Sequence, residues 1–487
     1  MRTSELARKF NSNIKKLLTA DEYNVFSRKS ISLLNSKRLD IIAKYIYVKA
    51  FISGRNKYFA LNLYLEHIRV FNGFVENDDS NKIGQDAFLN SFNELIKAIQ
   101  SQGYMDDSII PLGIDNTVLD GGHRVATAIY FNFDVPTIRL DFSDDNFRFD
   151  FEYFKNKGLA IEYLDSMALE YARLRSESAY VVLVWPSAKG RNKELENVLN
   201  RNGSIVYRKD INISRNGMYN LMRIAYRNEP WLGTYSDDFS GGKTKADLCY
   251  QPNSVLRAFL FESDADLIKM KDEIRNLFGI EKHAVHINDD QNETIELSET
   301  LFNNNGIHFL NAAHRKHIAK FDQLFSEFKS WVQGSRLDLN EFCLAGGSLA
   351  AYGIKESSDI DFVTTVDSLP YIANKDIEEE VEKLKYINLP LDSLIHDPRN
   401  YFFFRGVKFL SLDVIQRIKK QRLRDSDRLD LLVIDELLKN GKYKESFSTL
   451  LKRLLKISFY KRLIKLLLLR IRYYMKLAMS KKSKKGR

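Results

Sequence analysis

Asp359 and Asp361 stand two residues apart in the string EFCLAGGSLAAYGIKESSDIDFVTT. On a strand, that spacing turns both carboxylates to one face. Two such oxygen ligands suit Mg2+ (or Mn2+), which fills the rest of its shell with phosphate oxygens and water. A metal held there would neutralise charge on a triphosphate and orient an in-line attack. Gly346 and Gly347 precede the pair and let backbone amides come close to a phosphate. Ser348 adds a hydroxyl donor. Two further strings carry chemistry. Asp120, Gly121, Gly122, His123 and Arg124 form DGGHR just before an apolar, helix-like run, VATAIYF. Free amides at a helix start, with a histidine and an arginine, make an anion-binding corner. His286, in HAVHINDD, and Arg275, in DEIRNLF, pair a possible nucleophile or proton carrier with a phosphate-binding cation.

Each string needs a frame. Around the aspartates the pattern predicts a strand at 341–345, the Gly-Gly-Ser turn, a short helix, a loop and a second strand. A helix is expected before it, from about 313 to 333, with His314 and His317 three apart on its solvated surface. YVVLVW, Tyr180 to Trp185, reads as a buried strand. These elements divide the chain into 1–150, a helical lead-in and compact α/β core; 151–177, a helical connector; 178–310, a second α/β segment; 311–440, the aspartate-bearing segment; and 441–487, a basic tail. The fold class expected is an α/β and α+β multidomain protein. With 487 residues the chain is too long for one core.

Charge is unevenly placed. The net charge is +10, yet Lys452 to Arg487 holds 14 basic residues and no acidic one, which leaves 60 basic and 64 acidic residues elsewhere. The body is therefore mildly acidic, and DNA is not an expected partner, because phosphate-backbone contacts need clustered lysine and arginine. The tail interleaves leucine, isoleucine and tyrosine with lysine and arginine at near-helical spacing. Such a basic amphipathic helix lies on an anionic membrane surface. Its apolar block is too short to span a bilayer. Cys249 and Cys343 form no disulfide framework, so a reducing compartment is expected. A cytoplasmic protein, peripheral at the inner face of the membrane, fits these features.

The Gly347-Ser348 pair, ten intervening residues and Asp359-Ile-Asp361 resemble the DNA polymerase β-like nucleotidyltransferase superfamily. The resemblance implies a mixed sheet with helices, an NTP substrate and a third carboxylate on a later strand. Asp392 is the candidate for that carboxylate, as metal ligand or base, and Asp413 the alternative. GVKFLSLDVIQRIKKQRLRDSDRLDLLVI supplies the helix that follows in many small members. Ile109-Ile110-Pro111 followed by DGGHR resembles the ParB and sulfiredoxin-like group, whose loop contacts nucleotide phosphates and whose members include kinases. A base for kinase chemistry would then be Glu66 or His67, in the first strand. The middle segment resembles, more distantly, the ferredoxin-like nucleoside diphosphate kinase fold. His286 occupies the phosphohistidine position there and Arg275 that of a phosphate-binding arginine. Trp185 stands where that family has lysine, and His283 where it has asparagine.

The resulting expectation is metal-dependent nucleotidyl, or phosphoryl, transfer from an NTP to an acceptor hydroxyl or phosphate at a membrane surface. The acceptor is a small molecule, a lipid-linked sugar or a protein. Surface-polysaccharide assembly is a setting by analogy of architecture. Two alternatives stand beside it: a transferase that nucleotidylates a protein partner, and a non-enzymatic, nucleotide-gated binding protein.

Overall fold

Apolar residues in the strand Ala179–Val184 alternate between two cores. Val181 and Leu183 join one, and Val182 and Val184 the other. Successive strand side chains point to opposite faces, so a run that is apolar throughout must be covered on both sides. In the computed structural model that cover is complete. The structure describes residues 1–76, 79–143, 147–314, 316–381 and 385–440. The expected basic tail, 441–487, lies outside them.

The first part of the chain opens with two short helices, α1 (Thr3–Leu6) and α2 (Ser12–Lys15), then β1 (Phe26–Lys29). Helices α3 (Asp40–Ser53), α4 (Lys57–Asn72) and α5 (Gln85–Gln102) follow, then β2 (Ile110–Leu112), α6 (Gly122–Phe131) and β3 (Asp134–Arg139). The three strands form a sheet of order β1-β3-β2, with β2 parallel to β3 and β1 antiparallel to it. Glu66 and His67 fall in the middle of α4, a helix, and not on a strand as the sequence had suggested.

The connector folds as α7 (Phe151–Asn156) and α8 (Ile161–Leu174). It is no loose linker. Leu164, Met167, Ala168 and Tyr171 of α8 belong to the same apolar cluster as Ile42 and Leu63 of the first segment and Leu183 and Leu260 of the second.

The middle segment runs β4 (Ala179–Val184), α9 (Asn192–Asn202), β5 (Ser204–Ile211), α10 (Arg215–Ala225), α11 (Ser240–Cys249), β6 (Leu256–Glu262), α12 (Leu267–Phe278) and β7 (Val285–Ile287). Its sheet is antiparallel throughout, in the order β5-β6-β4-β7. Leu195 and Val198 of α9 and Met270 and Ile274 of α12 cover one face. Helix α8 and α13 (Gln291–Leu301) contribute to the cluster on the other.

After α14 (Asn304–Ala312) and α15 (Ala319–Gly334) comes β8 (Phe342–Leu344), α16 (Ser348–Ala351), β9 (Ile360–Thr364), β10 (Ile377–Glu379), α17 (Leu391–His396), β11 (Tyr401–Phe404) and β12 (Val407–Leu410). The five strands make a mixed sheet of order β10-β9-β8-β12-β11. An aromatic wall on α15 holds it: Phe328 lies 5.4 Å from Phe362 and Phe325 lies 5.8 Å from Phe409, centroid to centroid. The expected helix at 313–333 starts later, at Ala319. His314 and His317 lie in the preceding loop, where His317 Nε2 is 3.0 Å from Asp322. Met1–Ile415 makes one compact unit. A second begins at Gln416, after the start of α18 (Leu412–Arg422), and includes α19 (Asp425–Asn440). Within that second unit Asp427 receives Arg422 at 2.7 Å and Lys419 at 3.1 Å. No helix among the described residues is long and apolar enough to cross a membrane.

Candidate active site

The Gly-Gly turn and the aspartate strand meet as adjacent antiparallel strands require. Strand β8 pairs with β9, and the amides of Ala345 and Gly346 donate to the Asp361 carbonyl at 2.7 and 3.0 Å. The turn therefore leaves the sheet directly against Asp361. A Cβ on Gly346 would stand 2.8 Å from Asp361 Oδ2, so a larger residue there must push that carboxylate aside. Gly347 follows at φ +81, a left-handed conformation that starts α16. Asp361 is 8% exposed, on β9. Asp359 lies just before the strand and is exposed, with the Ser357 hydroxyl 2.8 Å from its carbonyl. One carboxylate is thus set by the sheet and the other stands at its open end. Two carboxylates and a glycine-lined approach fit a Mg2+ ion that takes its other ligands from phosphate and water.

Two expected contributors are placed elsewhere. Ser348 is buried and its hydroxyl donates to the Leu410 carbonyl at 3.1 Å. The hydroxyl's single proton is committed to the fold, so the side chain offers no donor to a phosphate. Asp392 sits on α17, a helix, not on a later strand. Its carboxylate accepts from the amide of Asn56 at 2.5 Å and that of Tyr58 at 3.4 Å, and so caps α4 from outside. Among the described residues no group of three or more acidic, histidine or cysteine side chains is arranged to hold a metal, so Asp392 does not join Asp359 and Asp361 in such a group.

The DGGHR corner is more closed than its sequence suggests. Gly121, at φ +88, starts α6. Arg124 turns to Asp120 at 3.4 Å, the Ser108 hydroxyl at 3.2 Å and the Ile109 carbonyl at 3.4 Å. His123 Nε2 lies 3.1 Å from the Tyr64 hydroxyl, and its ring meets Phe92 edge-on at 4.5 Å. Burial, and then the cation of Lys44, push its pKa well down. Beneath Gly122 lies a buried ion cluster that sequence reading missed. Asp40 receives Arg38 at 2.7 and 2.9 Å and Lys44 at 2.6 Å. A Cβ on Gly122 would come within 3.0 Å of both cations. The two guanidinium and ammonium neighbours outweigh the cost of burial and hold the Asp40 carboxyl far below the usual range. Among the described residues, Arg38 Nη1 and the buried His67 Nε2 have no hydrogen-bond partner. Glu66, the other proposed base, is engaged by Arg69 at 2.9 Å. No spacing rule points from SKRLD to DGGHR; only the packing of α3 on α6 joins them.

In the middle segment His286 and Arg275 line one cavity of about 1050 Å3, together with Lys245, Lys271, Tyr226 and Trp231. His286 Nε2 is 2.9 Å from Glu293 Oε1, and Tyr226 meets its ring edge-on at 4.8 Å. Arg275 donates to Asp272 at 2.9 Å. Trp185 is fully buried, 6.2 Å from the His286 ring. Glu293 was not foreseen; its offset of seven from His286 crosses the strand–helix junction. Cys249 and Cys343 are both buried thiols, raised by burial to about 11 and about 12.

No family model, curated protein or solved structure matches the chain.

Proposed function

We propose that the chain is a metal-dependent nucleotidyltransferase acting at Asp359 and Asp361. The observation that carries this reading is the fit of Gly346 against the Asp361 carboxylate on paired strands β8 and β9. It sets a side-chain-free turn directly beside the Asp361 carboxylate, and Asp359 stands two residues before it; a carboxylate pair of this kind is what a hard cation takes together with phosphate oxygens. Asp359 and Asp361 would hold Mg2+ or Mn2+, which supplies charge neutralisation on the triphosphate when bound. The chain's own part is positional. The sheet fixes Asp361, Gly346 keeps the approach open, and the exposed Asp359 leaves room for an NTP. The acceptor is a hydroxyl or a phosphate. The mixed sheet, with Asp361 on β9 and Asp359 just before it, supports the polymerase β-like reading, and DGGHR at the start of α6 the ParB-like one. A membrane-surface setting rests on the basic tail alone.

The test uses the four NTPs labelled at the α- or the γ-phosphate, with Mg2+ and a membrane extract. Transfer of α-label that disappears in Asp359→Ala/Asp361→Ala is the expected result. Transfer that survives that double substitution would overturn the assignment. Label in protein, and not in small or lipid products, would favour the protein-modifying alternative.

A second reading has its own support. His286 and Arg275 face one cavity, with Glu293 on the imidazole, and the sheet order β5-β6-β4-β7 is that of a ferredoxin-like fold. Phosphoryl binding or transfer at His286 follows from it. Acid-labile γ-label lost in His286→Gln would support this reading, and label unchanged by that substitution would remove it.

A further inference from the structure

A second large cavity, about 980 Å3, opens between the middle segment and the aspartate-bearing segment. Neither Asp359 nor Asp361 lines it, although Ala350 and Ala351 of α16 do, so it meets that helix away from the two carboxylates. Its size suits a small-molecule site. Its walls divide by chemistry. Phe321, Phe404, Phe309 and Leu310 make an apolar side. Cations come from three separate places: Arg223 on α10, Lys329 on α15 and Arg405 in the β11–β12 turn.

These cations are set in position. The Arg223 guanidinium lies 4.3 Å from the Phe239 ring centroid and 5.1 Å from that of Tyr235, and it donates to the Tyr235 hydroxyl at 2.8 Å. A planar cation stacked in this way is pre-organised for an oxyanion. Arg405 occupies the first central position of a two-residue turn at φ +50, followed by Gly406 at φ +78. Asparagine, aspartate or glycine is preferred there, and an arginine in that conformation carries strain. Lys329 donates to the Arg405 carbonyl at 2.9 Å. Burial, and then the Arg405 cation, push its pKa down.

Three of the four lining carboxylates are paired with a cation. Glu296 pairs with Arg227, Glu299 with Arg173 and Asp322 with Arg405, while Asp338 accepts from the Asn340 amide. Lys329 has no carboxylate within ion-pair distance among the described residues. Taken whole, the lining carries five cationic side chains against four carboxylates, so positive charge is in excess beside an aromatic wall.

We propose that this cavity binds a phosphorylated, ring-bearing small molecule, with its phosphate at Lys329, Arg405 and Arg223 and its ring against Phe404 and Phe321. A nucleoside monophosphate and a sugar phosphate share this chemistry. The inference does not rest on transfer at Asp361.

The full chain is titrated by calorimetry in EDTA, which removes metal-dependent binding, with UMP, glucose 1-phosphate, uridine and glucose. One phosphate ester binds saturably at about 1 mM or tighter, and its neutral counterpart at least about tenfold more weakly. Whichever ester binds names the source. Arg405→Gly places the favoured residue in the turn, so it folds, and it weakens the ester at least about tenfold; Lys329→Gln does the same independently. Asp359→Ala/Asp361→Ala binds as wild type does. Absence of saturable binding by both esters overturns the proposal, as does wild-type affinity in Arg405→Gly and Lys329→Gln.

Discussion

The Asp392 carboxylate accepts a hydrogen bond from the Asn56 amide at 2.5 Å, across 336 residues of chain. An acidic group that sequence order offered as a metal ligand serves instead to cap α4, which lies in another segment. Asp392→Ala is expected to lower stability by about 1 kcal/mol, the usual cost of a lost cap. It should leave the metal dependence of nucleotide turnover unchanged. Denaturant midpoints and a Mg2+ titration of activity check both parts; a shifted Mg2+ optimum would return Asp392 to the metal.

Asp361→Asn keeps shape and removes charge. Nucleotide transfer should fall by at least about a hundredfold, or about 2.7 kcal/mol of barrier, with little change in thermal midpoint. Gly346→Ala should lower activity as well, because its Cβ meets Asp361 at 2.8 Å and must displace it. It should also cost about 1–3 kcal/mol of stability through overpacking. Full activity in Gly346→Ala would mean that the turn does not border the reacting phosphate.

His67 links stability to pH. Burial, and then the Lys44 cation, bring its pKa from 6.5 down to about 3. Between those values the unfolded chain takes up a proton that the folded chain refuses. Stability is therefore complete above pH 6.5 and falls as the pH drops. At pH 5 the loss from this one group is about 2 kcal/mol. His123 and His396 are lowered as well and add to the same slope. Urea unfolding at pH 7 and pH 5 should show a smaller difference in His67→Asn than in wild type; an equal difference would remove His67 from the account.

A fragment ending at residue 177 should not fold alone. It would leave Leu164, Met167, Ala168 and Tyr171 of α8 without the β4–β6 face they pack against. Circular dichroism and hydrogen exchange of fragment 1–177 test this. A cooperative thermal transition would show that the first segment has a sufficient core of its own.

Local order was legible where one short string fixes it. The Gly-Gly turn before β9 and the buried strand at Tyr180–Trp185 both follow from spacing and apolar runs, and so does the helix that follows DGGHR. Segment boundaries were less so, because α8 looks like a connector in sequence and is a core element in space. The resemblance of the first segment puts Glu66 and His67 on a strand, whereas α4 carries them as a helix packed on α3. The Arg38–Asp40–Lys44 cluster under Gly122 was invisible. Its members lie about 80 residues from that glycine, and only tertiary packing brings them together. The position of Asp392 on a helix, with its carboxylate on the start of α4, was hidden for the same reason: it depends on what stands opposite it.

The two-sided cover of β4 sets a timetable for synthesis. Helix α8 leaves the ribosome well before β6, and the intervening chain takes roughly 5–20 s to make at roughly 5–20 residues per second. Throughout that interval Leu164, Met167 and Tyr171 have no sheet to lie on. The nascent chain therefore passes through a sticky, half-dressed stage that a chaperone would recognise, and only the arrival of Leu256–Glu262 ends it.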